Sequence, residues 1–189
     1  AFPVGEDAYP GYIPTFLWSD AVFRAKEMDF VHDGLKYVDH LRSNIKIIYN
    51  IAGNTLINQH SDINRTIRIL KDESLCELIV TSDLFMTASA RWSDLILPAA
   101  SVLESNNVTM GWCNDDYLLS NSRAVEPLFG TMPDYDWVCM IADAMGYGEA
   151  FRAGHATTED WILDLYNTFR QTKETELPPY EQFRENGGY

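Results

Sequence analysis

Three short apolar runs constrain this chain more than anything else in it: IKIIYNI at residues 45–51, ELIVTS at 77–82 and LILP at 95–98. The first is rich in β-branched residues and hardly alternates, the pattern of a strand buried on both faces. It stops at Ala52-Gly53-Asn54, a tight turn that exploits the tolerance of Gly and Asn for positive φ. Between the first two runs, Ser61 or Asp62 can cap a helix over 63–71 with Ile63, Ile67 and Leu70 on one face. Between the second and third lie one or two helical turns over 87–92, opened by Thr87. Pro98 closes the third run, because proline cannot continue a central ladder. Strand, turn, helix, strand, short helix, strand is the β-α-β order of a parallel sheet with helical crossovers. The expected fold is therefore α/β: a three-layer, Rossmann-like, mostly parallel sheet with helices on both faces, the three runs being adjacent parallel strands.

The flanks are less regular. A helix is expected over 20–28, capped by Ser19, with Ala21, Val22, Ala25 and Met28 on its inner stripe. An irregular polar stretch follows to Asn44. Residues 101–130, with Gly111, Asn114, Asp115 and Gly130, suggest a long surface excursion holding one strand at 117–120. Pro133 then starts a helix over 134–145, closed by Gly146 and Gly148. The Thr157/Asp160 pair makes a capping box for a helix over 158–170, along which Trp161, Leu165 and Phe169 repeat every four residues. With 189 residues, the chain reads as one domain over 1–175 with an extended tail over 176–189.

Charge excludes one class of function. The formal net charge is −14, and a sequence-independent nucleic-acid binder needs a basic surface to release counterions. Half of that charge sits in 101–150, where Arg123 stands against 8 acids, a solvated acidic face or one turned to a basic partner. Cys76, Cys113 and Cys139 are scattered, without His at ligand spacing, which argues against a disulfide framework and against a metal or cluster held here. No signal peptide and no run of ~18 apolar residues is present. A first residue other than Met and a polar, Gly-rich end give the expectation of a longer parent.

In open α/β sheets, ligands sit beyond the carboxyl ends of the strands. Gly53 and Asn54 follow the first strand there, Asp83 the second and Pro98 the third. A glycine turn leading towards a helix can offer free backbone N–H groups to a pyrophosphate without any Lys or Arg. A carboxylate such as Asp83 can accept the paired N1–H and N2–H₂ donors of guanine. The same residues also read as a plain turn and a plain cap, and His60 in NQHSD reads as a solvated or backbone-bonded loop histidine. Glu104 and Asp94 have no spacing that makes them an acid–base pair. No nucleophile motif or Walker loop occurs.

The strings YNIAGNTLINQHSDINRT and ELIVTSDLFMTASARWSDLILPAASVLE resemble the third, Rossmann-like domain of molybdopterin oxidoreductases of the dimethyl sulfoxide reductase family. The resemblance is strongest to the catalytic subunits of membrane-anchored, iron–sulfur-containing members, and it extends to FLWSDA and GHATTEDWILDLY. It implies a molybdenum enzyme carrying two pyranopterin guanine dinucleotides and reducing an S-oxide, N-oxide or related acceptor. Matched position by position, Gly53 and Asn54 fall in the loop beside one dinucleotide, Gln59 and His60 in the segment after it, Asp83 on the guanine-binding carboxylate and Thr87 near the same nucleotide. Nothing matches the cluster cysteines, the metal ligand, the twin-arginine leader or the C-terminal domain. The resemblance thus implies a fragment with no catalytic or metal-ligating residue and no cofactor of its own. Its expected partners are the other domains of its subunit, an iron–sulfur electron-transfer subunit and a membrane anchor. The parent would be exported and membrane-associated, the fragment soluble and prone to self-association through some of its 24 aromatics. The alternative is a free-standing α/β nucleotide-binding or interaction module without redox chemistry.

Overall fold

The computed structural model describes Tyr9 and residues 11–111, 117–172 and 176–189; Cys113, Asn114 and Asp115 lie outside them. These residues gather into two compact units, one ending at Leu97 and one running from Pro98 to Tyr189.

The first unit is the α/β part. Helix α1 (Trp18–Arg24) continues into a 3-10 turn at Ala25–Glu27. The inner stripe is as expected: Ala21, Val22, Ala25 and Met28 are all buried. Ala21, Ala25 and Met28 pack with Leu35 and Leu41 into one cluster. Ser19 is not the cap, since the helix begins one residue before it and has no side-chain cap. The stretch read as irregular contains α2 (Phe30–Asp33), whose first turn is capped by Asp29 accepting the His32 N–H.

Strands β1 (Ile47–Ile51) and β2 (Leu78–Asp83) run parallel, with Ile47 opposite Leu78 and Ile51 opposite Ser82. Strand β3 (Leu95–Pro98) lies on the far side of β2, completing a parallel three-stranded sheet in the order β1-β2-β3. β1 is thus an edge strand, and the expectation of burial on both faces does not hold at its ends: Ile47 is 62% and Ile51 47% exposed. Helix α3 (Ile63–Leu70) is capped by Asp62, whose carboxylate accepts the Arg65 N–H. Its buried face is Thr66 and Ile69 rather than Ile63 and Ile67, and Ile63 is exposed. The helix is rotated so that Thr66 meets His60. Trp18, Ile48, Leu56, Leu70, Cys76 and Ile79 form the cluster between the helices and the sheet. Two ion pairs tie the helices together: Arg24 of α1 reaches Asp33 of α2, and Arg65 of α3 reaches Asp20 of α1, which Arg24 also pairs with inside its own helix.

The second unit opens on a hairpin. Strand β4 (Asn107–Met110) pairs antiparallel with β5 (Leu118–Asn121), so the excursion carries two strands, of which NVTM is too short and polar to be seen in sequence. Helix α4 (Asp134–Ala144) starts after Pro133 as expected, and Gly148 opens a further helix, α5 (Gly148–Arg152). Helix α6 (Thr158–Thr172) has the expected capping box, with Thr157 N–H on Asp160 Oδ2 at 2.9 Å and Asp160 N–H on Thr157 Oγ1 at 3.2 Å. The tail is not extended throughout. Tyr180–Asn186 is helix α7, started after Pro179 and held because Tyr180 and Phe183 pack on Tyr166 of α6. Residues 187–189 then run back along β5: Leu118 and Tyr189 exchange N–H···O bonds of 2.9 and 2.8 Å, and Ser120 N–H reaches Gly187 O at 3.1 Å. Glycine is required at 188, since a Cβ there would lie 2.6 Å from Leu118 O.

Candidate functional site

The parallel register sets the ends of β1 and β2 side by side, and Ala52 N–H donates to Ser82 O at 2.9 Å just where the strands stop. From this edge the 52–59 turn and the 83–89 turn emerge together. The left-handed residue of the first turn is Ala52, at φ 47°; Gly53 has no positive φ. Gly53 is instead a matter of space, because a Cβ there would meet Asn50 Oδ1 at 3.3 Å and Ile51 O at 3.4 Å.

A buried polar network holds the two turns. Asn50, inside β1, donates from Nδ2 to Gly53 O (2.7 Å) and Thr81 Oγ1 (3.4 Å), and its Oδ1 accepts from Thr55 Oγ1 (3.2 Å). Thr81 in turn bonds Ser93 at 2.6 Å. Asn54 Oδ1 accepts from both Ser89 N–H (2.9 Å) and Ser89 Oγ (2.8 Å), while Ser89 Oγ accepts the Ile57 N–H (3.1 Å). The Asn54 oxygen therefore anchors the loop. What the arrangement leaves open is the backbone: the N–H groups of Gly53, Asn54 and Thr55 donate to no acceptor among the described residues.

Asp83 is half-buried at the end of β2, where its Oδ1 accepts the Phe85 N–H at 3.0 Å and its Oδ2 has no hydrogen bond among the described residues. Thr87 Oγ1 accepts the Ala90 N–H at 3.1 Å, capping the short turn as the sequence suggested. Between them Leu84, Phe85 and Met86 are exposed, Phe85 to 75%. Gln59 is exposed at the far end of the first turn.

His60 is set apart from the others. It is buried, with Nε2 3.0 Å from Ser19 Oγ, Nδ1 3.1 Å from Thr66 Oγ1 and the ring edge-on to Trp18. The loop histidine is thus a core pin between α1 and α3, with its polar atoms satisfied by those helices. Around it, burial pushes the Asp20 carboxyl up, but the Arg24 and Arg65 guanidiniums outweigh that and hold it below the ordinary range. The Arg24 guanidinium likewise holds Asp33 low.

The structure thus brings Gly53, Asn54, Asp83 and Thr87 to one edge, leaves Gln59 at its margin and withdraws His60 into the core. Sequence reasoning missed Asn50, Thr55, Thr81 and Ser89. The signal was present in Asn50 and Thr81: a polar side chain within an apolar strand must find a partner. Asp94 and Glu104 are structural. Asp94 Oδ2 accepts the Ile79 N–H at 2.8 Å; Glu104, in the second unit, accepts the Ser101 and Leu128 N–H groups, which lower its pKa. No group of three or more His, Cys, Asp or Glu among the described residues is placed to hold a metal ion. The edge can do two things chemically: donate several N–H bonds to an anion, and accept paired donors at a carboxylate.

Comparison with known proteins adds the following. Residues 20–144 match the family described as molybdopterin oxidoreductase. The chain is 41% identical over 177 residues to the dimethyl sulfoxide reductase DmsA of Haemophilus influenzae, covering 93% of this chain and 22% of that protein. With DmsA of Escherichia coli the identity is 38% over 187 residues, covering 98% and 23%. The chain therefore spans less than a quarter of the length of these curated relatives. Among solved structures, acetylene hydratase from Pelobacter acetylenicus superposes with a TM-score of 0.66 at 19% identity, over 93% of this chain and 20% of that one, which is a likeness of fold.

Proposed function

The chain belongs to the molybdopterin oxidoreductase family, and from that premise we propose that it is a cofactor-holding segment of a molybdenum reductase, gripping the guanine dinucleotide arm of the pterin cofactor. The carrying observation is the strand-end edge: three consecutive N–H groups without acceptors among the described residues, at Gly53, Asn54 and Thr55, with the half-buried carboxylate of Asp83 at the end of the neighbouring strand. These residues fit the group. A pyrophosphate needs N–H donors and close backbone approach, which a β-carbon at 53 would crowd. Guanine needs a carboxylate with an oxygen to spare, and Asp83 Oδ2 is one. When bound, the cofactor would supply redox chemistry, removal of oxygen from an S-oxide, as the names of the DmsA relatives suggest, or from an N-oxide, as the name of the Vibrio vulnificus trimethylamine-N-oxide reductase suggests.

This chain's own part is to bind and orient. The Gly53–Thr55 turn would take the phosphates and Asp83 would select the base, with Thr87 near the same nucleotide and Gln59 in the segment that follows the turn. Asn50, Asn54 and Ser89 hold the turns in place. The metal ligand, an iron–sulfur cluster, the electron-transfer subunit and the membrane anchor belong outside this segment, and the segment alone does not turn over. No helix among the described residues is long and apolar enough to cross a membrane.

The test is a titration of GDP and ADP followed by NMR shifts on the wild-type chain and on Asp83→Asn. Guanine should be preferred about 5- to 150-fold, since adenine leaves the charged oxygen unpaired at a cost of about 1–3 kcal/mol. Asp83→Asn turns one acceptor into a donor facing guanine N2–H₂, and the preference should vanish. Equal wild-type affinities, or an asparagine variant that still prefers GDP, would overturn the assignment.

A further inference from the structure

Between Asp83 and Thr87 the chain exposes three large apolar side chains in succession, Leu84, Phe85 and Met86. A single exposed apolar residue is ordinary; a run of three beside a carboxylate with an oxygen to spare marks a surface that something covers. Phe85 is fixed at both ends of its backbone. Its N–H donates to Asp83 Oδ1 at 3.0 Å, and its carbonyl accepts the Thr87 N–H at 2.8 Å. Thr87 is itself held, with its Oγ1 accepting the Ala90 N–H, and Ser89 ties the same turn to Asn54 of the neighbouring one. The phenyl ring has no aromatic or cationic partner among the described residues.

The result is an aromatic plane beside a hydrogen-bonding edge. The Phe85 Cα is one bond beyond a nitrogen that touches the carboxylate, which puts it within about 4.5 Å of Asp83 Oδ1. Asp83 Oδ2 has no hydrogen bond among the described residues. A flat ring with N–H donors on its edge satisfies both features at once, since hydrogen bonds use the plane of a base and stacking uses its faces. An aliphatic ligand uses only one of them.

We propose, on the reading of this edge as a nucleotide site, that Phe85 is the platform on which the purine base stacks while its edge pairs with Asp83. Stacking is tolerant of base identity because every base has a π-face, whereas the carboxylate discriminates. Phe85 therefore sets how tightly a purine nucleotide is held, and Asp83 sets which one.

The ¹⁵N-labelled chain of 189 residues and its Phe85→Ala, Phe85→Leu and Phe85→Trp variants are titrated with GDP, ADP and pyrophosphate, following the amide shifts and the purine H8 resonance. Loss of a base–aromatic stack weakens binding about 5- to 150-fold, and that loss is expected in the alanine variant for GDP and ADP alike. Leucine, apolar but without a π-face, should lose nearly as much, and tryptophan should bind at least as tightly as wild type. Pyrophosphate, which has no base, should bind all four proteins equally. H8 should move upfield on binding to wild type, under the ring current of the phenyl group, and should not do so with the leucine variant. The two assignments fail separately. Equal wild-type affinities for GDP and ADP, both lost in Phe85→Leu, would remove Asp83 and keep Phe85. A preserved preference for GDP with unchanged affinities in the alanine and leucine variants would overturn the role of Phe85 and keep Asp83. No saturable shift with GDP up to about 20 mM, or shifts at residues 84–86 that follow protein concentration without nucleotide, would overturn the stacking proposal outright.

Discussion

Asn54 lets the observed role of the strand-end turn, holding itself in shape, be pulled apart from its proposed role of holding a phosphate. In Asn54→Ala the Ser89 N–H and hydroxyl, which lie 2.9 and 2.8 Å from Asn54 Oδ1, lose their acceptor, and Ser89 is fully buried. Leaving a buried N–H unsatisfied costs about 1–3 kcal/mol, and the weakened hydroxyl brings the expected loss to about 2–3 kcal/mol. At about 2–4 °C per kcal/mol for a chain of this size, the melting temperature should fall by about 4–12 °C. Asn54→Asp keeps both acceptor bonds and strengthens them by charge, so its melting temperature should stay within about 2 °C of wild type. Its negative charge, however, stands beside the Gly53–Thr55 donors. A carboxylate ~6 Å from a phosphate charge at an effective dielectric of ~20 costs about 2–3 kcal/mol, which is roughly 30- to 150-fold in affinity. Circular-dichroism melts and GDP titrations on the three proteins read both effects. An alanine variant as stable as wild type would show that Asn54 is no anchor. An aspartate variant that binds GDP as tightly as wild type would show that the phosphates do not sit on this turn.

Two further outcomes follow from particular residues. Ala52 carries φ 47°, a conformation costing a non-glycine residue about 1–2 kcal/mol; Ala52→Gly should therefore raise the melting temperature by a few degrees, and a fall would show that the turn relaxes without it. Asp20 and Asp33 are held below the ordinary carboxylate range, so the stability they contribute is complete above that range and is lost as pH falls through their depressed values. Urea midpoints measured from pH 6 down to pH 2 should drop steeply below about pH 4, and the drop should be shallower in Asp33→Asn; identical profiles would refute the role of the Arg24 bridge.

The parallel strands were legible because three apolar runs with short crossovers leave a chain few other options. So was the capping box of Thr157 and Asp160, which is a purely local device. What was not legible depended on where an element packs. Ile47 and Ile51 belong to a run that reads as central, yet β1 lies at the edge, and strand order is not written in any single strand. Ile63 and Ile67 made the more obvious apolar stripe on α3, but His60 needed a hydroxyl and Thr66 turned the helix towards it. The tail looked extended because its two prolines interrupt it; the helix forms because Tyr180 and Phe183 find Tyr166, a contact across 14 residues that no local pattern announces. At the strand-end edge, the sequence marked residues of the two turns and overlooked those that hold the turns, since Asn50 and Ser89 take their meaning from partners more than 30 positions away.

The pairing of residues 187–189 with β5 joins Leu119 to Gly188, so the hairpin acquires its second ladder only when segments 69 positions apart meet. On a ribosome the parallel-sheet unit ending at Leu97 is complete long before that, its most distant partners already in hand. Contacts of such separation form slowly, because loop closure must precede any reward from pairing. Synthesis therefore imposes an order: the strand-end edge of the parallel sheet matures first, while β5 waits with one side bare, an exposed ladder open to the wrong strand until Tyr189 arrives. For the cell, the vulnerable interval in making this segment lies in the delay before residues 187–189 close on β5, and the strand-end edge is shaped before that interval begins.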